Sequence, residues 1–457
     1  MAMPALVSVQ DPVTFRGMKA KVPHRLRYYV PTLFASFILT ILSTSAENWP
    51  AWRGKTGMGI VNEPSVPTHW SATENIRWKT PLPDRGNSTP IVWGNRIFLT
   101  QTLDKEQKRS LMCLDRADGK VLWQSSVPYA EKEETHETNP YCSASPVTDG
   151  TTVVAWYGSA GVYAYDFQGK ELWHRDLGKA DHGWGYGGSP LIHGSLVFVQ
   201  FGPGSRNFLI ALDKKTGKTV WQADENAVEP AERTDGFAGQ KGKYMGAFTV
   251  PILVKAGGRD ELVVSFPNRL RALDPKTGKD LWWCHGLNPL VYASPIHAEG
   301  IVVGMGGFNG TSIAVKPGGS GDVTATHRIW EKRKTKQRIG SGVIHKGHIY
   351  VLNSDGIGEC INLKTGDSVW TERVNGKGAK SSSWSSMVLV GDKLYVPNQS
   401  GDVVILRASP KFELIGVNAI GEEMTNASLA VSNGEIFLRT HANLWCISDR
   451  RNQTAGR

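Results

Sequence analysis

Short runs of apolar residues recur along most of the chain and are separated by Gly, Pro, Asp and Asn. Leu196–Val199 and Ile301–Val303 are typical of these runs. Runs this short, with turn-forming residues on both sides, indicate β-strands rather than helices. The pattern therefore predicts a chain built almost wholly from short strands.

Sequences close to Leu-Asp-x-x-Thr-Gly-Lys-x-x-Trp repeat between these runs. They occupy residues 114–123, 212–221 and 273–282, with a variant at 361–370 and a shortened form at 165–173. In each copy Asp or Asn caps a turn with its side chain, and Gly supplies a positive φ. The repeat therefore predicts a β-hairpin, with Trp at a fixed position in its second strand.

Another pair of strands precedes each hairpin and opens with a shared dipeptide, as at Ser145-Pro146, Ser189-Pro190 and Ser294-Pro295. Each unit thus has four strands, and the last strand carries the Trp. Four-stranded repeats of about 40–50 residues are typical of β-propeller blades. The Trp residues that mark these strands are Trp78, Trp123, Trp173, Trp221, Trp282, Trp330 and Trp370.

The two ends of the repeat region complete each other. Residues 426–447 supply three strands, whereas residues 75–80 supply one Trp-bearing strand with no unit before it. Together they make one blade, which closes the ring and removes exposed sheet edges. Phe412–Gly416 fills the outer strand of the preceding unit without a Trp. The sequence therefore predicts an all-β, eight-bladed propeller with four antiparallel strands per blade over residues 47–449.

Residues 1–46 have the pattern of a signal peptide, and we expect residues 450–457 to be a disordered tail. Basic residues precede an apolar stretch from Tyr28 to Leu42, and small residues follow it. This stretch is shorter than the ~20 residues that span a bilayer. We therefore expect cleavage after Ala46 and export to the periplasm or beyond, with a retained N-terminal anchor as the alternative.

The net charge and the cysteine positions restrict the possible binding partners and the possible disulfides. The net charge is +10 and falls to +6 without residues 1–46. That is a mild bias over a large body, and together with export it argues against nucleic acid. Three of the five Cys occupy equivalent repeat positions, so we expect buried free thiols. No H-E-x-x-H, G-x-S-x-G or phosphate-loop sequence is present, and we expect neither catalytic residues nor a metal site.

The repeats resemble those of quinoprotein-type propellers, the pyrroloquinoline-quinone-like family, over nearly all of residues 47–449. Trp49–Gly54 and the unusual residues 316–330 of the fifth blade are similar to exported bacterial members. The resemblance implies that the seven Trp residues dock between neighbouring blades. It also implies either quinone-dependent dehydrogenation with calcium or assistance to outer-membrane β-barrel assembly, and the fold does not decide between them.

Two departures bear on the dehydrogenase activity. Those enzymes usually carry two adjacent Cys residues, and this chain has no Cys-Cys pair. Their Glu, Asn and Asp calcium ligands match no motif here, although calcium requires such oxygen ligands. We therefore expect no cofactor and lean away from an enzyme. Pyrroloquinoline quinone with calcium, in a dehydrogenase, is the alternative.

Long loops from each outer strand to the next inner strand gather on one face of a propeller, where binding residues are often found. Here they are rich in side chains that offer flat contact area and hydrogen bonds. Trp184, between two glycines, is the sharpest candidate for stacking on a ring-shaped ligand, and packing of the loops against each other is the alternative. The candidate rim residues are His136, Asn139, Tyr141, His182, Trp184, Tyr186, Tyr244, Asn288, Tyr292, Trp384 and Asn426.

The charges on these loops are unevenly placed. Residues 131–137 are acidic, whereas residues 332–338 are basic and suit an anionic glycan or an acidic protein, unless they are simply solvated. We predict a monomeric, extracytoplasmic propeller that binds a protein or a polysaccharide through this face. We expect no integral membrane domain other than the N-terminal anchor. A dehydrogenase and a cell-envelope assembly scaffold are the alternative functions.

Overall fold

The structure is a computed structural model that describes residues 47–449 except 64, 227, 231–232 and 241–243. The predicted signal peptide and the predicted tail lie outside the described residues. The described chain forms eight four-stranded antiparallel sheets, which follow one another around a central channel. The predicted eight-bladed β-propeller is therefore confirmed.

Each blade runs from an inner strand at the channel to an outer strand at the periphery. In this order, blade 1 consists of Ile91–Trp93, Arg96–Leu103, Lys108–Asp115 and Val121–Pro128, and blade 2 of Val147–Thr148, Val153–Trp156, Val162–Tyr165 and Glu171–Arg175. Blade 3 consists of Leu191–His193, Leu196–Phe201, Phe208–Asp213 and Thr219–Asp224, and blade 4 of Ile252–Ala256, Arg259–Phe266, Arg269–Leu273 and Asp280–His285. Blade 5 consists of Ile296–Ala298, Ile301–Met305, Ser312–Val315 and Arg328–Lys332, and blade 6 of Val343–His345, His348–Leu352, Ile357–Asn362 and Ser368–Arg373. Blade 7 consists of Val388–Val390, Lys393–Pro397, Val403–Arg407 and Leu414–Asn418, and blade 8 of Ala430–Ser432, Glu435–Arg439, Asn443–Ser448 and Ile76–Pro81.

Blade 8 closes the ring as the sequence predicts. Its outer strand, Ile76–Pro81, pairs antiparallel with Asn443–Ser448, and Trp78 lies opposite Cys446. A β-bulge between Ile76 and Trp78 shifts the register by one residue. Because the first and last repeats share this sheet, the ring closes without a free seam.

Four short strands lie outside this pattern: Ile60–Val61, Gly246–Ala247, Leu290–Val291 and Gly321–Asp322. Two 3₁₀ turns, Asp104–Glu106 and Gly158–Ala160, complete the regular structure. All five Cys residues are buried and free. Within the described residues, no helix is long and apolar enough to cross a membrane.

The indoles of the outer strands join neighbouring blades. Six of the seven donate the ring N–H to a backbone carbonyl in the hairpin of the next blade, at 2.7–3.1 Å; they are Trp78, Trp123, Trp173, Trp221, Trp330 and Trp370. Trp282 differs because residues 316–330 replace the next hairpin. Its ring N–H donates instead to the fully buried Glu261 carboxylate of its own blade, at 2.7 Å.

The residues that open the repeat units, Ser-Pro in three of the blades, form a second set of contacts between blades, close to the channel. At each opening a hydroxyl oxygen accepts the backbone N–H of the equivalent residue in the preceding blade, at 2.8–3.0 Å. The acceptors are Thr89, Ser145, Ser189, Ser294, Ser341, Ser386 and Ser428. Blade 4 has Val250 at this position, so the ring of hydroxyls is interrupted once.

Residues 47–61, which we call the inner segment, lie inside the channel. Trp49 pairs with Val92 of blade 1, and the Pro50 carbonyl accepts the N–H of Thr148 in blade 2 at 2.8 Å. Ile60–Val61 runs parallel to the inner strand of blade 7. The inner segment therefore follows the inner strands before the chain leaves for blade 8.

Candidate functional site

A cavity of about 280 Å³ lies at the loop-bearing end of the channel. Most of its wall is built from the loops that lead into the inner strands. Trp52 of the inner segment also lines it. The full lining is Trp52, Asn87, Thr89, His136, Thr138, Asn139, Ser143, Trp184, Gly187, Ser189, Phe248, Val250, Tyr292, Phe308, Gln337, Ile339, Trp384, Ser386, Asn426 and Ser428.

Aromatic rings from several blades meet along this wall. The His136 and Trp384 rings are stacked, with centroids 6.1 Å apart and planes at 28°. Trp184 and Tyr292 are also close to parallel, at 6.4 Å and 22°. His136 contacts the Trp184 ring edge to face at 6.3 Å. The cavity thus offers flat apolar surfaces contributed by distant parts of the sequence.

Polar side chains lie between these rings. The Asn139 amide nitrogen donates to the carbonyls of Trp184 and Tyr186, at 2.7 and 3.0 Å. Both of its N–H groups are then used, so the amide oxygen is left as an acceptor. His136 Nδ1 lies 2.6 Å from the Thr138 hydroxyl oxygen and 3.3 Å from the backbone nitrogen of Thr138, so Nε2 is the ring nitrogen left for a ligand, as a donor or an acceptor according to the tautomer. The site can therefore accept hydrogen bonds from a ligand and donate hydrogen bonds to it.

The structure brings six of the eleven candidate rim residues together around the cavity: His136, Asn139, Trp184, Tyr292, Trp384 and Asn426. Trp184 does not stand alone between its glycines, because it stacks on Tyr244 at 5.0 Å and contacts Phe237 at 5.6 Å. Trp184 therefore packs the loops together and also lines the cavity, and its stacking on a ligand stays a prediction.

The other five candidates support the loops instead of lining the cavity. His182 and Tyr244 pack against Trp184, while Tyr186 is buried against Trp156 at 4.9 Å. The Tyr141 hydroxyl donates to the Glu133 carbonyl at 2.7 Å. The buried Asn288 amide oxygen accepts the N–H of Thr311 at 2.5 Å.

Several lining residues were not among our candidates. Trp52 belongs to the motif Trp49–Gly54, which stands out in the sequence. Its position inside the channel follows only from the fold. Phe248 lies in a loop whose sequence carries no distinguishing pattern, whereas Phe308 lies in the Gly-rich stretch 304–310 and Gln337 in the basic loop 332–338. The abundance of aromatic residues in the loops was the one signal available.

The charged loops are largely neutralised within the protein. Lys332 pairs with Asp367 at 2.7 Å, and Arg333 with Glu331 at 2.7 Å. Arg338 forms a buried ion pair with Glu359 at 3.0 Å. On the acidic loop, Glu133 is buried beside Arg109, and Glu131 pairs with Lys179. These pairings weaken the case for the basic loop as an anion-binding surface.

The described lining does not fit pyrroloquinoline quinone with calcium. The quinone carries three carboxylates, yet no Lys or Arg is among the described residues that line the cavity. Calcium requires several oxygen ligands, usually including carboxylates, and this described lining contains no Asp or Glu. Nor do three His, Cys, Asp or Glu side chains meet as a metal site anywhere in the described chain.

His182 makes the aromatic wall sensitive to acid. Burial lowers the pKa of His182 to about 4, although nearby Asp181 acts in the opposite direction. Its Nδ1 accepts the backbone N–H of Trp184 at 3.2 Å, which requires an unprotonated nitrogen. The unfolded chain takes up this proton near pH 6.5 and the folded protein only near pH 4. The contribution of neutral His182 to the free energy of unfolding is therefore complete above about pH 6.5 and declines as the pH falls toward 4.

We expect His182→Asn, whose amide oxygen can accept the same hydrogen bond without titrating, to flatten this decline. Between pH 7 and pH 4 the wild-type protein should lose up to about 3 kcal/mol more unfolding free energy than the variant. Urea denaturation at a series of pH values, followed by Trp fluorescence, measures the difference. Parallel profiles for the two proteins would show that His182 stays accessible to protons in the fold.

The repeats match a family of known proteins along most of the chain. A family model described as "Outer membrane protein assembly factor BamB" matches residues 67–184, 107–285 and 268–454. Among curated proteins, polyvinylalcohol dehydrogenase of a Pseudomonas species is 24% identical over 208 residues, which are 41% of this chain and 30% of that protein. The matched stretches span only about a third of the length of the curated relatives.

Solved structures show the same fold. BamB from Moraxella catarrhalis superimposes with a TM-score of 0.56 and 16% identity, covering 79% of this chain and 94% of that one. Quinohemoprotein alcohol dehydrogenase from Comamonas testosteroni gives a TM-score of 0.58 and 12% identity, with 88% and 80% covered. The family model spans well over half of the sequence, and the chain therefore belongs to the propeller family described as outer membrane protein assembly factor BamB.

Proposed function

We propose that the protein is an extracytoplasmic binding propeller that holds part of an uncharged polysaccharide in the cavity at its loop-bearing face. The observation that supports this most is the described lining, which combines aromatic rings with amides and hydroxyls and contains no Lys, Arg, Asp or Glu. Sugar rings present apolar C–H faces as well as hydroxyl groups. Aromatic side chains and a few placed polar groups are suited to bind such a molecule.

Individual roles follow from the contacts already described. Trp384, stacked on His136, offers a flat surface to one sugar face. The Asn139 amide oxygen accepts a hydrogen bond from one sugar hydroxyl, and His136 Nε2 forms a hydrogen bond with another. The Gln337 side chain makes no hydrogen bond to another described residue and provides both a donor and an acceptor. These groups would fix the orientation of a ligand that the rings hold.

Titration of the purified mature protein tests this proposal. Neutral oligosaccharides of galactose and of glucose are added while Trp fluorescence and heat release are followed. Oligomers of galacturonate with the same linkage serve as the matched anionic control, because they carry a carboxylate at C6 where galactose has a hydroxymethyl group. We expect neutral oligomers to bind and the anionic ones to bind much more weakly. Equal binding of both, or none by any neutral glycan on a glycan array, would overturn the proposal.

A protein partner in the cell envelope is the second candidate. It is supported by the family model, whose description names an outer membrane protein assembly factor. Cross-linking in the native envelope, followed by identification of the cross-linked proteins, tests it. Recovery of β-barrel assembly components would favour this candidate, and their absence beside a measured glycan affinity would favour the first.

A further inference from the structure

We infer that the cavity is closed at its inner end by Trp52 and therefore binds the end of a glycan chain rather than its interior. This inference rests on the proposed polysaccharide binding and adds which part of the polymer is recognised. It depends on how completely the inner segment fills the channel.

The inner segment contacts the whole circumference of the channel. Beyond its pairing with blades 1, 2 and 7, its Met58 sulfur accepts the N–H of His297 in blade 5, at 3.2 Å. The Arg53 guanidinium reaches the Gly342 carbonyl of blade 6 at 2.6 Å, and the Glu47 carbonyl accepts the Ser432 hydroxyl of blade 8. Ala51 packs into the core shared by blades 2 and 3, and Met58 into that of blade 4.

Trp52 lies between two cavities. Its indole lines the cavity at the loop-bearing face and also a second one, of about 270 Å³, between the inner segment and the inner strands of blades 3 and 4. The second cavity extends toward His193, at the turn that ends the inner strand of blade 3 on the opposite face. Trp52 therefore lies between the cavity at the loop-bearing face and the space that extends toward the opposite face of the channel.

The backbone on either side of Trp52 is held firmly. Arg53 is 1% exposed, and its Nη2 donates to the carbonyls of Met58 and Gly342, at 2.7 and 2.6 Å. Arg53 and Gly54 both have positive φ, +61° and +79°, which turns the chain sharply after Trp52. Gly54 packs directly against the Trp49 ring, where even a methyl group would lie 2.9 Å from a ring carbon. Trp52 is therefore presented from a fixed turn.

A closed cavity changes what a polymer can do. An open channel or a surface groove can hold the middle of a long chain, since both ends of the chain can leave the site. A cavity with one entrance favours a terminus, because an internal unit could enter only if the chain bent back through the same mouth. At about 280 Å³ it lies near the lower limit of the ~300–1,000 Å³ typical of small-molecule pockets, so it accommodates few sugar units.

The test compares long and short chains of whichever neutral glycan binds. Polymer and oligomers of the same sugar are titrated against the wild-type protein by isothermal calorimetry. If the site takes chain ends, the isotherms superimpose when plotted against the molar concentration of ends. Partial digestion of the polymer by an endo-acting hydrolase should then raise the apparent affinity per unit mass in proportion to the new ends.

Two variants test the part played by Trp52. We expect Trp52→Ala to weaken oligomer binding about tenfold through loss of the indole surface, while Trp52→Phe, which keeps an aromatic ring, stays close to wild type. Isotherms that superimpose on the concentration of sugar units, with polymer and oligomer equivalent by mass, would overturn end recognition and leave glycan binding intact. Failure of every neutral glycan to bind would overturn the proposed function itself.

Discussion

Replacing Gly217 by alanine should lower the free energy of unfolding by about 3–5 kcal/mol. Gly217 lies in the hairpin of blade 3 with φ of +67°, which strains any residue that carries a Cβ. A methyl group there would also lie 2.5 Å from a ring carbon of Trp173, the indole of blade 2. The ring would have to move, and its 2.7 Å hydrogen bond to the Lys214 carbonyl would be lost or weakened.

The same blade provides a matched control. Gly194 has a similar φ of +59°, but no atom lies within 4 Å of the position its Cβ would take. Gly194→Ala should therefore cost only the backbone strain, about 1–2 kcal/mol. Urea denaturation followed by circular dichroism measures both variants. Equal losses would show that the contact between glycine and indole does not stabilise the blade interface.

This comparison also shows which features of the fold can be predicted from a short stretch of sequence. The Asp and Gly of the hairpin repeat act within a few residues, so the sequence predicts the turn and the strand that follows it. The second role of Gly217, as the surface on which Trp173 rests, joins two blades and appears only in the assembled ring. The Ser-Pro openings are similar: the repeat is visible, whereas the Ser294 N–H bonds to the Ser341 hydroxyl one blade away.

The cavity was harder to predict because irregular loops have no periodicity that fixes side-chain direction. Tyr186 and Tyr292 are the same residue type in comparable loops, yet Tyr186 packs into the core of blade 2 and Tyr292 lines the cavity. Trp52 is a stronger case. Its motif is evident in the sequence, but only the path of the inner segment through the channel places it beneath residues of loops that lie far away in the sequence.

The stack of Trp384 on His136 joins two loops that are distant in sequence. It leads to a second prediction, of a large loss in ligand affinity. Trp384→Ala should weaken binding of a neutral oligosaccharide about 10–100-fold, or about 1.4–3 kcal/mol, because the ligand loses one complete aromatic face. Trp384 suits the test better than Trp184, whose ring also packs against Phe237 and Tyr244. Removing Trp184 would disturb the loops as well as the ligand.

The control for this prediction is Trp283→Ala. Trp283 lies on the outer strand of blade 4 and does not line the cavity, so this variant removes an indole of the same size at a distant position. Isothermal calorimetry should give an unchanged affinity for Trp283→Ala and a large loss for Trp384→Ala, with both variants folded by circular dichroism. If Trp384→Ala bound as tightly as wild type, the ligand would not contact the aromatic wall, and the binding surface would have to be sought elsewhere on the propeller.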